Sequence, residues 1–270
     1  MYRKLSILLF IVSLGYTLPS FGQREGDVSY GKQFVGGVTF SSNGGLIGGA
    51  MFRYSKKING GESIIPNASA GVGAGTKIKV QSDKLFYQLG LEVSFIKHPK
   101  ELRYLNTTTN NTFIAFKQNA LFVIRPQLGL EWLLFRKAEE DGVQINFILT
   151  GGPSLGFLKP YYIEYLYGKE TKFEAYDPEI HTDFNRILGS AGALNGLGES
   201  KVVPGLHIKP ALSFELGHMH GNVTGFEFGA VVEAFTEKMV ILTPFTYMSP
   251  IENKQVFTSV YLTVFYGFRR

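Results

Sequence analysis

Along much of the chain apolar and polar residues alternate one for one, in segments of about ten residues broken by polar turns. That is the period of a strand with two unlike faces. In the clearest segment, 87–95, Tyr87, Leu89, Leu91, Val93 and Phe95 share one face and Gln88, Gly90, Glu92 and Ser94 the other. The polar face of a soluble sandwich would carry more Lys and Thr. Gly and Glu there suit a narrow lumen whose apolar outer wall meets lipid.

The pattern recurs. Val143, Ile145, Phe147 and Leu149 oppose Gln144, Asn146 and Thr150; Leu206, Ile208, Leu212, Phe214 and Leu216 oppose His207, Lys209, Ser213 and Glu215. Phe226, Phe228, Ala230, Val232 and Ala234 oppose Glu227, Gly229 and Glu233. The last segment sets Val256, Val260, Leu262, Val264, Tyr266 and Phe268 against Ser259, Thr263 and Gly267, with Phe257, Tyr261 and Phe265 also on the second face. Leu46, Gly48, Ala50, Phe52 and Tyr54 follow Ser42-Asn43-Gly44-Gly45, an Asn-Gly hairpin signal, and a strand over about 33–40 precedes it. Residues 113–135 read as one long strand, with a bulge or edge required at Pro126.

These segments make eight strands and predict an all-β, antiparallel, up-and-down transmembrane barrel; two further strands within 57–83 would make it ten. If both termini lie on the periplasmic side, connections 41–45, 97–112, 160–204 and 236–254 face outward, and 57–83, 136–142 and 217–222 face inward. Outer-membrane barrels keep their long loops outside. Only the Gly-rich stretch 57–83 breaks that rule.

Nothing after the first residues approaches 18 consecutive apolar positions, so no transmembrane helix is expected, and a closed barrel is the remaining way to span lipid. Arg3 and Lys4 followed by an apolar run over 5–14, with Ser20-Phe21-Gly22 before Gln23, read as a cleaved export signal, residues 1–22, leaving 23–270 as the barrel domain. Localisation in a bacterial outer membrane follows. Losing Arg3 and Lys4 takes the formal charge from +5 to +3, and the remaining basic residues are scattered, which argues against nucleic acid as a partner. The chain has no cysteine, which excludes disulfides and a lipoprotein anchor.

Gly31-Lys32-Gln33-Phe34 through to Gly45, His98-Pro99-Lys100-Glu101, Ile124-Arg125-Pro126, Gly152-Pro153-Ser154-Leu155-Gly156 with Lys159-Pro160, Tyr176-Asp177-Pro178 and Val202-Val203-Pro204-Gly205-Leu206 together resemble a family of uncharacterised outer-membrane barrels from the Bacteroidetes group. The resemblance covers most of 23–270, with 57–83 as an insertion. It implies location and barrel fold, and no catalytic residues.

The candidate chemistry is sparse. Arg53, Glu92, Arg125, Lys209, Glu215, Glu227 and Glu233 fall on luminal faces. Buried charge is costly unless paired, so a salt-bridged plug is expected there, with a polar conduit as the sharper alternative. His218 and His220 point the same way on a strand, but no third metal ligand stands near them, and a solvated turn is expected. Gly152-Pro153-Ser154-Leu155-Gly156 has the nucleophile-elbow spacing without a following helix and reads as a strand bend. His98 beside Lys100 and Glu101, and His181 between Glu179 and Asp183, sit where an outer-membrane hydrolase would place its site; a strand end is expected for the first. The Gly-rich stretches 71–75 and 189–198 read as flexible loops. No catalytic, cofactor or metal site, and no cofactor, is predicted.

The expected role is structural or interactive, with lipid as one partner and other envelope proteins meeting the 160–204 connection. That connection is too rich in Tyr and Phe to be disordered and is expected to fold as a cap or a partner surface. A narrow channel is the alternative, and an enzyme the third.

Overall fold

The computed structural model describes residues 31–58, 62–66, 75–79, 84–136, 142–192, 194–216, 221–243 and 251–270. The expected export signal and the His218/His220 pair lie outside the described residues.

Eight long strands form one closed antiparallel barrel. They are β1 (Lys32–Ser41), β2 (Gly45–Lys57), β3 (Leu85–Ile96), β4 (Asn119–Phe135), β5 (Gln144–Pro160), β6 (Lys201–Leu216), β7 (Asn222–Phe235) and β8 (Val256–Arg269). Each pairs with its neighbours in sequence, and β1 closes on β8 from Gln33↔Arg269 to Ser41↔Tyr261. The ends of the described chain meet at one end of the barrel, called here the base; the opposite end is the crown. The eight-strand count holds, because the strands within 57–83 (Glu62–Pro66 and Gly75–Lys79) pair only with each other.

The faces follow the alternation. Leu89, Leu91, Val93 and Phe95 of β3 look outward and are exposed, while Gln88, Glu92 and Ser94 are buried inside. On β8, Val260, Leu262, Val264, Tyr266 and Phe268 look outward, and Phe257, Tyr261 and Phe265 fill the interior. The result is inside-out relative to a water-soluble barrel. Soluble monomers seldom expose apolar patches above a few hundred Å², and here the apolar surface runs around the whole wall.

Four local expectations are corrected. Residues 113–135 are not one strand. Thr112–Ile114 pairs with Arg103–Leu105 above the barrel, Phe116 takes a left-handed φ of 60°, and the barrel strand begins at Asn119. Pro126 makes no bulge: the β4–β5 ladder skips 125–127 and resumes in register, so Pro126 faces Pro153 and their missing donors fall together. The register shift comes instead between Leu133 and Phe135. The bend expected at 152–156 is also absent, since β5 keeps one register with β6 from Lys201↔Leu158 to Glu215↔Gln144. At the first hairpin Gly45 adopts φ 86° and the ladder shifts between Thr39 and Ser41, so Ile47 faces outward and Gly48 is buried. A left-handed glycine is what such a bulged hairpin requires.

The crown is built from three connections. The longest carries a three-stranded sheet, with Tyr162–Tyr167 between Glu170–Ala175 and Ile187–Ser190. Much of it is therefore regular structure, and the 189–198 stretch, expected as a loop, begins in a strand and ends in the short 3-10 turn Leu197–Glu199. Its core packs Ile163, Tyr165, Tyr176 and Ile187 on Phe113 and Ala115.

Candidate functional site: the polar lumen and its crown

Every luminal charge named from the sequence faces inward, and six of the seven form one ion-paired cluster at mid-barrel. Arg125 on β4 donates through Nε and Nη2 to both oxygens of Glu233 on β7, each at 2.8 Å, and through Nη1 to Glu92 Oε1 at 2.8 Å. The second Glu92 oxygen accepts from Lys209 Nζ at 2.6 Å. Glu227 accepts from Arg53 Nη1 at 2.6 Å and from the Tyr261 hydroxyl at 2.5 Å, and Lys209 Nζ stands 3.9 Å from its Oε1. Lys209 lies 4.1 Å from the Tyr261 ring centre and Arg53 lies 5.0 Å from that of Phe265. Such bidentate pairs suit a dry interior, where each charge has to be met within the protein.

The alternation also carries groups not singled out above. Glu131 is fully buried and accepts from two neutral donors, Ser55 Oγ at 2.8 Å and Asn146 Nδ2 at 2.7 Å. Glu215, the one named luminal charge outside the cluster, accepts from Gln33 Nε2 at 3.0 Å and from Arg269. Glu131 was legible: it shares parity with Arg125 on the same strand.

Above the ionic layer the lumen turns apolar. Ile96, Leu121, Val123, Leu158, Val203, Phe235 and Phe257 enclose Met239, Ile241 and Leu242, which descend from the β7–β8 connection. Asn253 pins that insert: its Oδ1 accepts from the backbone of Ile241 at 2.9 Å and Leu242 at 3.2 Å, and its Nδ2 donates to Leu242 O at 2.8 Å. The stopper of the lumen is therefore this connection, and the larger 160–204 connection lies beside it. The run Met239-Val240-Ile241-Leu242 in an otherwise outward loop was its sequence signal.

The hydrolase candidates separate. Ser154 does meet a histidine, His207 on β6, with Oγ 3.0 Å from Nδ1. The serine is fully buried, and among the described residues the imidazole Nε2 has no partner and no carboxylate orients the ring as a base. His98 ends β3, accepting from Lys100 N at 3.1 Å, with Nε2 3.3 Å from Glu252 O. Glu101 pairs with Lys117 at 2.9 Å. His181 uses neither Glu179 nor Asp183. Its Nδ1 accepts from Asp177 N at 2.8 Å, so Nε2 carries the proton and donates to Glu174 at 2.9 Å. Neither histidine's hydrogen bonds reach a serine.

Glu174 also accepts from the Tyr167 hydroxyl at 2.6 Å, tying two cap strands. That hydrogen bond pushes the Tyr167 phenol up to about 12, and it is the first cause holding Glu174 below its ordinary value, His181 being the second. The two signs bound one window. A lowered carboxylate contributes stability above its unfolded value that is lost as pH falls through the folded one; a raised phenol contributes below its unfolded value and loses it as pH rises through about 12. Tyr167→Phe should therefore move the Glu174 titration back toward that of an ordinary glutamate, read by carboxyl NMR. An unchanged titration would show that this contact is not formed in solution.

No protein-family model matches the chain, and no curated protein matches it in sequence. Among solved structures it is similar to the crystal structure of Neisserial surface protein A (NspA), at 8% identity and a TM-score of 0.36, over 89% of this chain and 97% of that one. So distant a likeness carries no information on activity.

Proposed function

We propose that this is an integral protein of a bacterial outer membrane, exported by a signal over residues 1–22, whose barrel is a closed scaffold and whose crown meets other envelope proteins. The motifs resembling the Bacteroidetes barrel family fit that reading. The continuous apolar wall supports the membrane setting, since an exposed belt of this extent needs lipid for solvent.

The interaction role rests on one observation. The cap buries its own aromatic core and still leaves Leu105, Phe173, Ile180 and Leu194 exposed, clear of the barrel wall. Apolar groups standing above a membrane, on a folded platform, are what a partner surface offers. The channel alternative is disfavoured by the ionic cluster and the apolar stopper above it.

Photo-crosslinking amino acids placed at Phe173 and Ile180 should give discrete adducts in intact cells. Replacing the cap between 160 and 204 with a short linker should remove the partner while the barrel stays assembled and heat-resistant. A shortened protein that keeps every partner and gains no conductance in planar bilayers would contradict the interaction role. Steady single-channel steps from the intact protein would restore the conduit.

A further inference from the structure

The base of the β8–β1–β2 wall carries a feature that neither scaffold nor cap explains. The register places Arg270 beside Lys32, through paired backbone hydrogen bonds of 2.8 and 2.9 Å, and Lys32 directly opposite Lys56. All three side chains stand on the outward face. Like charges directly opposite on a sheet repel, and among the described residues neither lysine has a carboxylate partner. Lys56 stands over the Tyr87 ring, its Nζ 5.9 Å from the ring centre. The next row toward the crown is Phe268, Phe34 and Tyr54, with Phe34 centred 5.3 Å from Phe268 and 4.7 Å from Tyr54. Beyond it Gly36 sits between Tyr266 and Phe52, and its missing side chain opens an outward hollow of about 580 Å³.

We propose that this wall is a binding site for an anionic phospholipid of the periplasmic leaflet, resting on the membrane reading above. The headgroup phosphate lies on the Arg270–Lys32–Lys56 row and one acyl chain in the Gly36 hollow. Charge complementarity selects the occupant: three adjacent cations lie one residue pair from an apolar groove, the layout of a lipid with a negative head and a hydrocarbon tail. A zwitterionic lipid matches only the groove.

The test uses the full mature protein in nanodiscs of phosphatidylcholine doped with phosphatidylglycerol, released for native mass spectrometry. Retained phosphatidylglycerol should exceed its share in the disc by roughly tenfold, the scale of a few basic residues acting on an anionic headgroup. Lys32→Gln with Lys56→Gln should abolish that enrichment, and Lys32→Arg with Lys56→Arg should keep it. Gly36→Leu should lower retention of both lipids; its Cβ meets Phe52 at an ordinary 3.5 Å, so the barrel accommodates it and the hollow fills. Protein that inserts yet shows no enrichment, or a double glutamine variant that keeps it, overturns the site alone. Protein that does not insert into the discs at all overturns the membrane reading and the site with it.

Discussion

Arg125→Ala is expected to destabilise the barrel by about 3–5 kcal/mol, the cost of removing one member of a buried ionic cluster. Arg125 has side-chain exposure of only 3% and holds two carboxylates, one of them through two bonds. Its loss leaves Glu233 without the cation that engages both its oxygens and Glu92 with Lys209 alone. Trp132, the single tryptophan, stands on the same strand next to Phe147 and gives a native fluorescence probe for urea titration in vesicles. Combining Arg125→Met with Glu92→Gln and Glu233→Gln should recover much of the loss, because the triple change removes the stranded charge as well. A cost below about 1 kcal/mol for Arg125→Ala would mean that water screens the cluster as it does surface pairs, and the closed lumen would then be wrong.

The second large effect is on the other face of the neighbouring strand. Leu91 lies mid-strand between Phe52 and Pro126 and is 44% exposed outward. Leu91→Arg should cost about 2–4 kcal/mol, as a cation near the bilayer midplane does, and should lower the fraction of protein with heat-modifiable mobility on gels. Glu92→Gln one residue away tests the opposite face: it would be mild only if Arg125 and Lys209 could be solvated, and both are buried. Ready tolerance of Leu91→Arg would show that the faces are reversed.

Most of the barrel could be read because period-two alternation states both the element and its facing. That is why Arg53, Glu92, Arg125, Lys209, Glu215, Glu227 and Glu233 fall in one lumen from the sequence alone. Alternation cannot say which luminal groups meet, since the Arg125–Glu233 and Arg53–Glu227 pairs join strands far apart around the wall. It also fails wherever backbone geometry departs from the ladder. The left-handed Phe116 ended a segment that looked continuous, and the bulge after Thr39 exchanged Ile47 for Gly48 on the outer face. The crown was legible as aromatic and ordered but not as a sheet, because its short strands pair within one another and carry no long periodic run. The stopper left only the apolar run 239–242 as a signal, because the descent of Met239, Ile241 and Leu242 into the barrel mouth is a tertiary event that no periodicity encodes.

Because the chain has no cysteine, a single label can be placed anywhere without background. Leu89→Cys, Leu91→Cys, Val93→Cys and, on the cap, Phe173→Cys, each carrying a nitroxide in reconstituted vesicles, measure the central claim directly through collision with oxygen and with a water-soluble nickel complex. The three barrel positions should collide strongly with oxygen, which concentrates in lipid, and weakly with nickel, while position 173 shows the reverse. Nickel accessibility at 89, 91 and 93 equal to that at 173 would contradict a lipid-facing wall, and with it the membrane barrel.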